Sequence, residues 1–411
     1  MTDLTAPARN ANLNDLVALL QGQQTNKLDV VVPATKIRSQ GGMWVIDDID
    51  AELGPDGVTT RPGTFRPTEV ADEGIADKLG IPLAYVRKMR ATRPDLYDAN
   101  VNGLLHGRVK VTATGREVVH PADDRKFLVR AFRNPEGGPG VARAMLSDGY
   151  RVIDNLDVLV AALDGIRDAG VDVTFDGCDL TERRMRVRVV APAVEALAPV
   201  LLEGYRSPFG NGARRVGPAP WETAEGLAHG WLRPDDRPVV FAGFEIANSE
   251  TGGGAFTLTP RLVVKVCRNG LTITADALRN VHLGAKMDAG IVRWSEETRR
   301  ANLELVAKQA RDAVSTFLDV EYVKSKVADI EAKAGKVLDK PAEQVEIVTN
   351  RLKIAEGHAK LVLDHFLRGG QLTAGGVMHA VTSAAQSIDD AEAAADLEAL
   401  GLRALEVAAA L

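Results

Sequence analysis

"TERRMRVRVV", residues 181–190, alternates cations with apolar residues from Arg184 onward. A two-residue period belongs to a half-buried β-strand. It turns Met185, Val187 and Val189 towards a core and sets Arg184, Arg186 and Arg188 on the opposite face. Strand-like runs lie on both sides. Upstream are "LDVVVPATKIRS" and "GGMWVIDDI", joined through Ser-Gln-Gly-Gly as a hairpin, then "RVKVTATG", "REVVH", "KFLVRAF", "VARAMLS" and "VDVTFDG". Downstream are "PVVFAGFEIANSE" and "AFTLTPRLVVKVCRNGLTIT". Helical spacing enters between residues 62 and 105, punctuated by Pro67, Gly80 and Pro94, and again at "LDVLVAAL". From Ser295 nearly everything reads as helix, with Leu303, Val306, Ala310, Ala313 and Phe317 forming an apolar stripe.

These patterns define an α+β class: a mixed strand and helix core followed by a largely helical C-terminal third. Residues 1–28 read as a flexible polar tail, 29–290 as the core and 291–411 as the helical region. The last helices are expected to pack on the core, with pairing into a homo-oligomer as the alternative use of their apolar faces.

The 411 residues, 45% of them hydrophobic, suffice for the cores of two to three domains. No run approaches the roughly 20 apolar residues of a membrane span, and the first residues lack a basic then apolar leader pattern. No membrane association and a cytoplasmic location are therefore expected. Cys178 and Cys267 have no metal-ligand spacing and read as inert thiols. The net charge of −6 is unevenly spread: counted along the chain, residues 1–180 sum to −5, 181–300 to +4 and 301–411 to −5. An anionic partner should meet the middle.

Candidate contacts to such a partner follow from residue type. In "SDGYRVIDNLDVL", Tyr150 offers a ring to stack a base and Arg151 a guanidinium for a phosphate, while Asp154 or Asn155 caps the helix that follows. The strand supplies Arg184, Arg186 and Arg188. The loop "YRSPFGNGARRVGPAPW" adds Arg206, Arg214 and Arg215 beside Phe209 and Trp221, and "CRNG" adds Arg268. Cations interleaved with aromatics suit single-stranded nucleic acid better than duplex.

"NSETGGG", residues 248–254, lacks the Gly-Lys-Ser/Thr ending of a phosphate loop and reads as a Gly-rich connection between strands, with Asn248 and Ser249 at its rim. Two other readings stand beside the single-strand one. "IADKLGIPLAYVRKMR" fits a helix-turn-helix through Ala76, Gly80 and Val86, which would make Arg87, Lys88 and Arg90 duplex contacts of a regulator. "HPADDRKF" places His120, Asp123 and Asp124 together, as a metal-dependent enzyme of nucleic-acid metabolism would need. No His-Glu-x-x-His, Walker loop or nucleophile elbow occurs, so neither a metal nor a cofactor is expected.

Four ordered stretches, "DKLGIPLAYVRKM", "SDGYRVIDNLDVL", "NSETGGGAFTLTPRLVVKVCRNGL" and "GVMHAVTSAA", resemble the phage/plasmid-like family called domain of unknown function 932 over roughly residues 30–390. The last stretch departs from the family pattern, carrying His379 where an Asn and a Tyr are typical. The resemblance implies a protein of phages, plasmids and their hosts with DNA-related work. Together with the residues it gives the expectation of a single-stranded nucleic-acid-binding protein of a mobile element, acting in recombination, strand annealing or DNA protection.

Overall fold

A computed structural model describes residues 5, 7–54, 57–111, 117–150, 153–209, 238–264, 270–272, 278–280 and 296–411. The class is α+β: two antiparallel-rich sheets carry separate hydrophobic cores, and a run of helices closes one of them.

The smaller core is built first along the chain. β2 (Lys27–Pro33), β3 (Ile37–Gln40), β4 (Met43–Gly54), β5 (Gly57–Pro67), β8 (Lys126–Phe132) and β9 (Gly140–Ser147) form a six-stranded sheet in the order β2-β8-β9-β5-β4-β3. The expected β3–β4 hairpin is present, and Gly41 and Gly42 make its turn at φ of 62° and 76°, where a Cβ would be strained. One face of the sheet receives α2 (Glu69–Leu79), α3 (Leu83–Thr92) and α4 (Pro94–His106), burying Trp44, Ile75, Val86 and Tyr97. Trp44 Nε1 donates to the Tyr97 hydroxyl at 3.1 Å, so the two largest side chains of this core enter it without an orphaned polar atom. β6 (Arg108–Val111) and β7 (Glu117–His120) pair apart from both sheets.

The larger sheet contains the 181–190 stretch. β1 (Ala8–Ala11), β10 (Thr174–Leu180), β11 (Met185–Leu197), β12 (Val239–Asn248), β13 (Phe256–Val264) and β14 (Gly270–Thr272) follow in that spatial order, with β15 (Leu278–Asn280) also on β13. Met185, Val187 and Val189 are fully buried, as the alternation requires. The strand runs past Pro192 because a register shift between Ala191 and Glu195 removes the need for a ladder N–H there.

The apolar face of this sheet is covered by α1 (Leu13–Asn26), α5 (Asn155–Ala169) and the C-terminal helices α7 (Glu296–Phe317) and α8 (Val320–Ala334), and the short α6 (Pro199–Leu202), α9 (Pro341–Arg351), α10 (Glu356–Gly369) and α11 (Ala374–Gln386) extend the same core. α12 (Ala391–Glu398) and α13 (Gly401–Ala409) complete the chain. Gly165 lets α5 and α7 approach until a Cβ would lie 2.5 Å from the Ala307 carbonyl. Asp319 caps α8 by accepting from the Tyr322 N–H at 2.9 Å. Asp319→Ala is expected to cost about 1 kcal/mol in urea unfolding, the usual value of a lost cap.

One expectation changes here. Residues 1–28 are not simply a tail: β1 pairs with β10, and α1 sends Leu16 and Leu20 into the larger core. The polar sequence hides this because a lone helix needs only one apolar stripe. The C-terminal helices pack on the core, and Val306, Val377 and Leu405 share one cluster with β11 and β12.

Candidate functional site

β8 is the starting point because it buries a charge inside an apolar run. Phe127, Val129 and Ala131 face the smaller core, while Leu128, Arg130 and Phe132 point to the seam between the sheets. The Arg130 side chain is fully buried. Its guanidinium forks onto Asp29 at 2.9 and 3.0 Å, reaches Asp154 at 2.7 Å and donates to the Glu250 carbonyl at 2.9 Å. Burial works against the charge, but the Glu250, Asp29 and Asp154 carboxylates outweigh it and hold Arg130 protonated.

Around this arginine the two polar motifs of the sequence meet. Asp154 stands in the N-cap position of α5, yet its carboxylate makes no cap bond. It pairs instead with Arg130 and with Lys27 at 2.5 Å, which keep it ionised below the usual range in spite of burial. The helix start is served from elsewhere: Glu250 Oε1 accepts the Asn155 N–H at 2.6 Å, a carboxylate at the positive end of the helix. The other Glu250 oxygen pairs with Arg143 at 2.7 Å, whose guanidinium lies 4.3 Å from the Phe132 ring centre. Asn248 donates to Asn155 Oδ1 at 2.8 Å, and Tyr150 hydrogen-bonds the Gly252 backbone.

The 248–254 segment is a connection between β12 and β13, as expected. Ser249 Oγ accepts the Gly253 N–H at 2.9 Å, and Arg184 donates through Nε to the Gly253 carbonyl at 2.9 Å. Gly252 and Gly254 hold φ of 88° and 159°, and a Cβ on Gly254 would lie 2.7 Å from the Arg184 guanidinium. Glycine at 252 follows from its left-handed φ, and the neighbour at 254 is the movable end of the Arg184 side chain.

Beside the cluster a small recess of about 10 Å³, room for one water, opens at the seam, lined by Gln23, Thr68, Phe132, Arg143, Thr181 and Glu182. A second of the same size continues from it past Gln24, Lys27 and Leu156 to Glu250. Exposed Arg66 lies on β5, two residues before Thr68 at the N-cap of α2, and exposed Arg133 follows Phe132 at the end of β8. Amides, hydroxyls and cations thus share one opening.

The residues expected to contact nucleic acid fare differently. Arg184, Arg186 and Arg188 do share a face, but that face is not an open groove. Arg184 is spent on Gly253, Arg186 pairs with Glu392 at 2.8 Å, and Arg188 pairs with Asp179 and Asn10, both at 2.5 Å. Burial opposes the charge of Arg186 and Arg188, and the facing carboxylates overcome it. Alternation reports which residues turn away from one core; it does not report that β1 and α12 cover the other side. Tyr150 is half-buried at the seam. Arg206 is exposed against Gly369, to whose carbonyl its N–H donates at 3.0 Å, and Phe209 stands edge-on to His365 with ring centres 5.5 Å apart. Arg151, Arg214, Arg215, Trp221, Cys267 and Arg268 lie outside the described residues.

The alternative sites also change on inspection. α2, Gly80 in the left-handed region and α3 form a helix-turn-helix in shape, with Ala76 and Val86 buried between them. Of its three cations, Arg87 turns back to Glu73 at 2.9 Å and Arg90 to buried Asp72, leaving Lys88 exposed. Asp123 is held by Arg125, which keeps its carboxyl below the usual range. Among the described residues no group of three or more His, Cys, Asp or Glu is placed to hold a metal ion. Burial pushes the Cys178 thiol up to about 11, so it stays protonated at neutral pH. No described helix is long and apolar enough to cross a membrane.

Arg130, Arg143, Glu250 and Gln23 were not singled out from sequence. A readable signal was present for the first two: an arginine inside "KFLVRAF" and another inside "VARAML" mark charges within strands that otherwise have no polar face. No family model, curated protein or solved structure matches the chain.

Proposed function

We propose that this chain binds single-stranded nucleic acid at the seam between its sheets. The observation that carries the reading is the polar make-up of this small recess, where Gln23, Thr68 and Thr181 set neutral hydrogen-bonding groups beside Arg143; with room for one water, it must widen to take a base edge. Unpaired bases present their Watson–Crick edges to such groups, whereas in a duplex those edges are taken up by the partner strand. Arg66 and Arg133 stand outside it, where a phosphate backbone leaving the recess would meet them. The duplex reading is less favoured because Arg87 and Arg90 are turned away from the groove-facing side of α3. The resemblance of the 147–159 and 248–271 stretches to the phage/plasmid-like family supports a setting in recombination, annealing or protection of DNA.

Fluorescence anisotropy with labelled oligo(dT) and with a duplex of the same length, at two salt concentrations, tests this. Tighter binding of the single strand is expected. Arg66→Gln with Arg133→Gln should lower the log-log salt slope by about 1.4, two contacts at about 0.7 each, without altering the fold. Equal or tighter duplex binding, or an unchanged slope, would remove the seam from consideration.

A further inference from the structure

The face of the larger sheet that the alternation assigns to solvent carries Arg186 on β11 and Arg261 on β13, each 3% exposed. Both are neutralised from one short element. Glu392 accepts from Arg186 Nη2 at 2.8 Å, and Glu398 accepts from Arg261 Nη2 at 2.6 Å. The two carboxylates stand at opposite ends of α12.

A carboxylate does not satisfy all the donors of a guanidinium. Among the described residues Nη1 of Arg186 and Nη1 of Arg261 are buried with no hydrogen-bond partner. Leaving such donors unmet is costly, and it recurs here at two arginines on one face. Glu245, the neighbouring carboxylate on β12, is 3.9 Å from Arg186, too far for a hydrogen bond. Arg188 on the same face is already paired within the sheet by Asp179. On this face of the sheet the incompletely served arginines are those that α12 covers.

This layer is continuous with the seam. Thr181 lines the recess, and its hydroxyl donates to Glu392 Oε1 at 2.7 Å, the carboxylate that also holds Arg186. α12 is eight residues long and buries only Ala391, Ala394 and Leu397. Its hold on the sheet therefore depends on its charges as well as on packing.

We propose that Arg186 and Arg261 form a second phosphodiester-binding surface, masked by α12, whose Glu392 and Glu398 occupy the places of backbone phosphates. This rests on the seam reading: a single strand entering the recess would reach Thr181, compete for Arg186 and displace the helix. A backbone phosphate can take a guanidinium in two-pronged fashion, engaging the unserved Nη1 together with Nη2.

The test compares wild type with Glu392→Gln/Glu398→Gln by oligo(dT) anisotropy across salt. The neutral variant is expected to bind about tenfold more tightly, with a salt slope steeper by about 1.4, two further contacts at about 0.7 each. Adding Arg186→Gln and Arg261→Gln should cancel the gain. Because these changes can also weaken the fold, hydrogen exchange on the wild type is measured in parallel. Oligo(dT) should speed exchange of the 391–398 amides. Wild-type binding with an unchanged variant slope and unchanged exchange in α12 would overturn the mask and leave the seam reading standing. Binding by neither protein would overturn both.

Discussion

Arg130→Met is expected to destabilise the protein by about 3–5 kcal/mol, the range for removing one partner of a buried ionic cluster. The size follows from what remains. Asp29, Asp154 and Glu250 all face the arginine; Lys27 and Arg143 also meet Asp154 and Glu250, but Arg130 is the cation that joins all three carboxylates. Methionine fills much the same volume, so the loss reports charge rather than a cavity. The effect should spread to α5, since Glu250 also serves the helix start through the Asn155 N–H. Urea unfolding followed by circular dichroism measures it. A loss below about 1 kcal/mol, the level of an ordinary surface change, would mean that the cluster does not join the sheets.

The second large effect depends on pH. His379 is fully buried in α11, stacked on Tyr205 with ring centres 4.1 Å apart and with Nε2 3.0 Å from the Leu201 carbonyl. Burial pushes its pKa down from 6.5 to about 4, the carbonyl contact opposing only in part. The unfolded chain therefore binds a proton from about pH 6.5 downward, while the folded chain resists until about pH 4. The stability that His379 contributes is complete above pH 6.5, falls as the pH drops through that window, and falls no further below about 4. At about 1.4 kcal/mol per unit the loss is about 3 kcal/mol. Unfolding of wild type and His379→Gln at intervals between pH 7 and 4 checks this. The variant should lack that part of the slope, and parallel curves would show that the ring is not held neutral.

The fold was legible where periodicity is local. Met185, Val187 and Val189, the β3–β4 turn at Gly41 and Gly42, and the α2–Gly80–α3 corner all follow from spacing and glycine chemistry. The site was less legible because its parts are distant in sequence. Arg130 meets Asp29 across 101 residues and Glu250 across 120, and no window along the chain contains both sides of such a contact. Tyr150, Asp154, Asn155 and Asn248 stood out as polar residues of two motifs, and they do converge. What they converge on, a buried arginine, is what the motifs themselves omit. The arginine face shows the opposite difficulty: strand alternation fixes which way Arg186 points, whereas α12, more than 200 residues later, decides what it meets.

The seam is tested most directly by photocrosslinking the full chain to an oligonucleotide carrying 4-thiothymidine and mapping the attached peptides by mass spectrometry. Crosslinks are expected on the end of α1 around Gln23 and Lys27, on Phe132 to Arg143, and on the Leu180–Arg184 turn. Crosslinks confined to the α3–α4 surface around Tyr85 and Lys88, or to the segment around Arg206, would contradict binding at the seam.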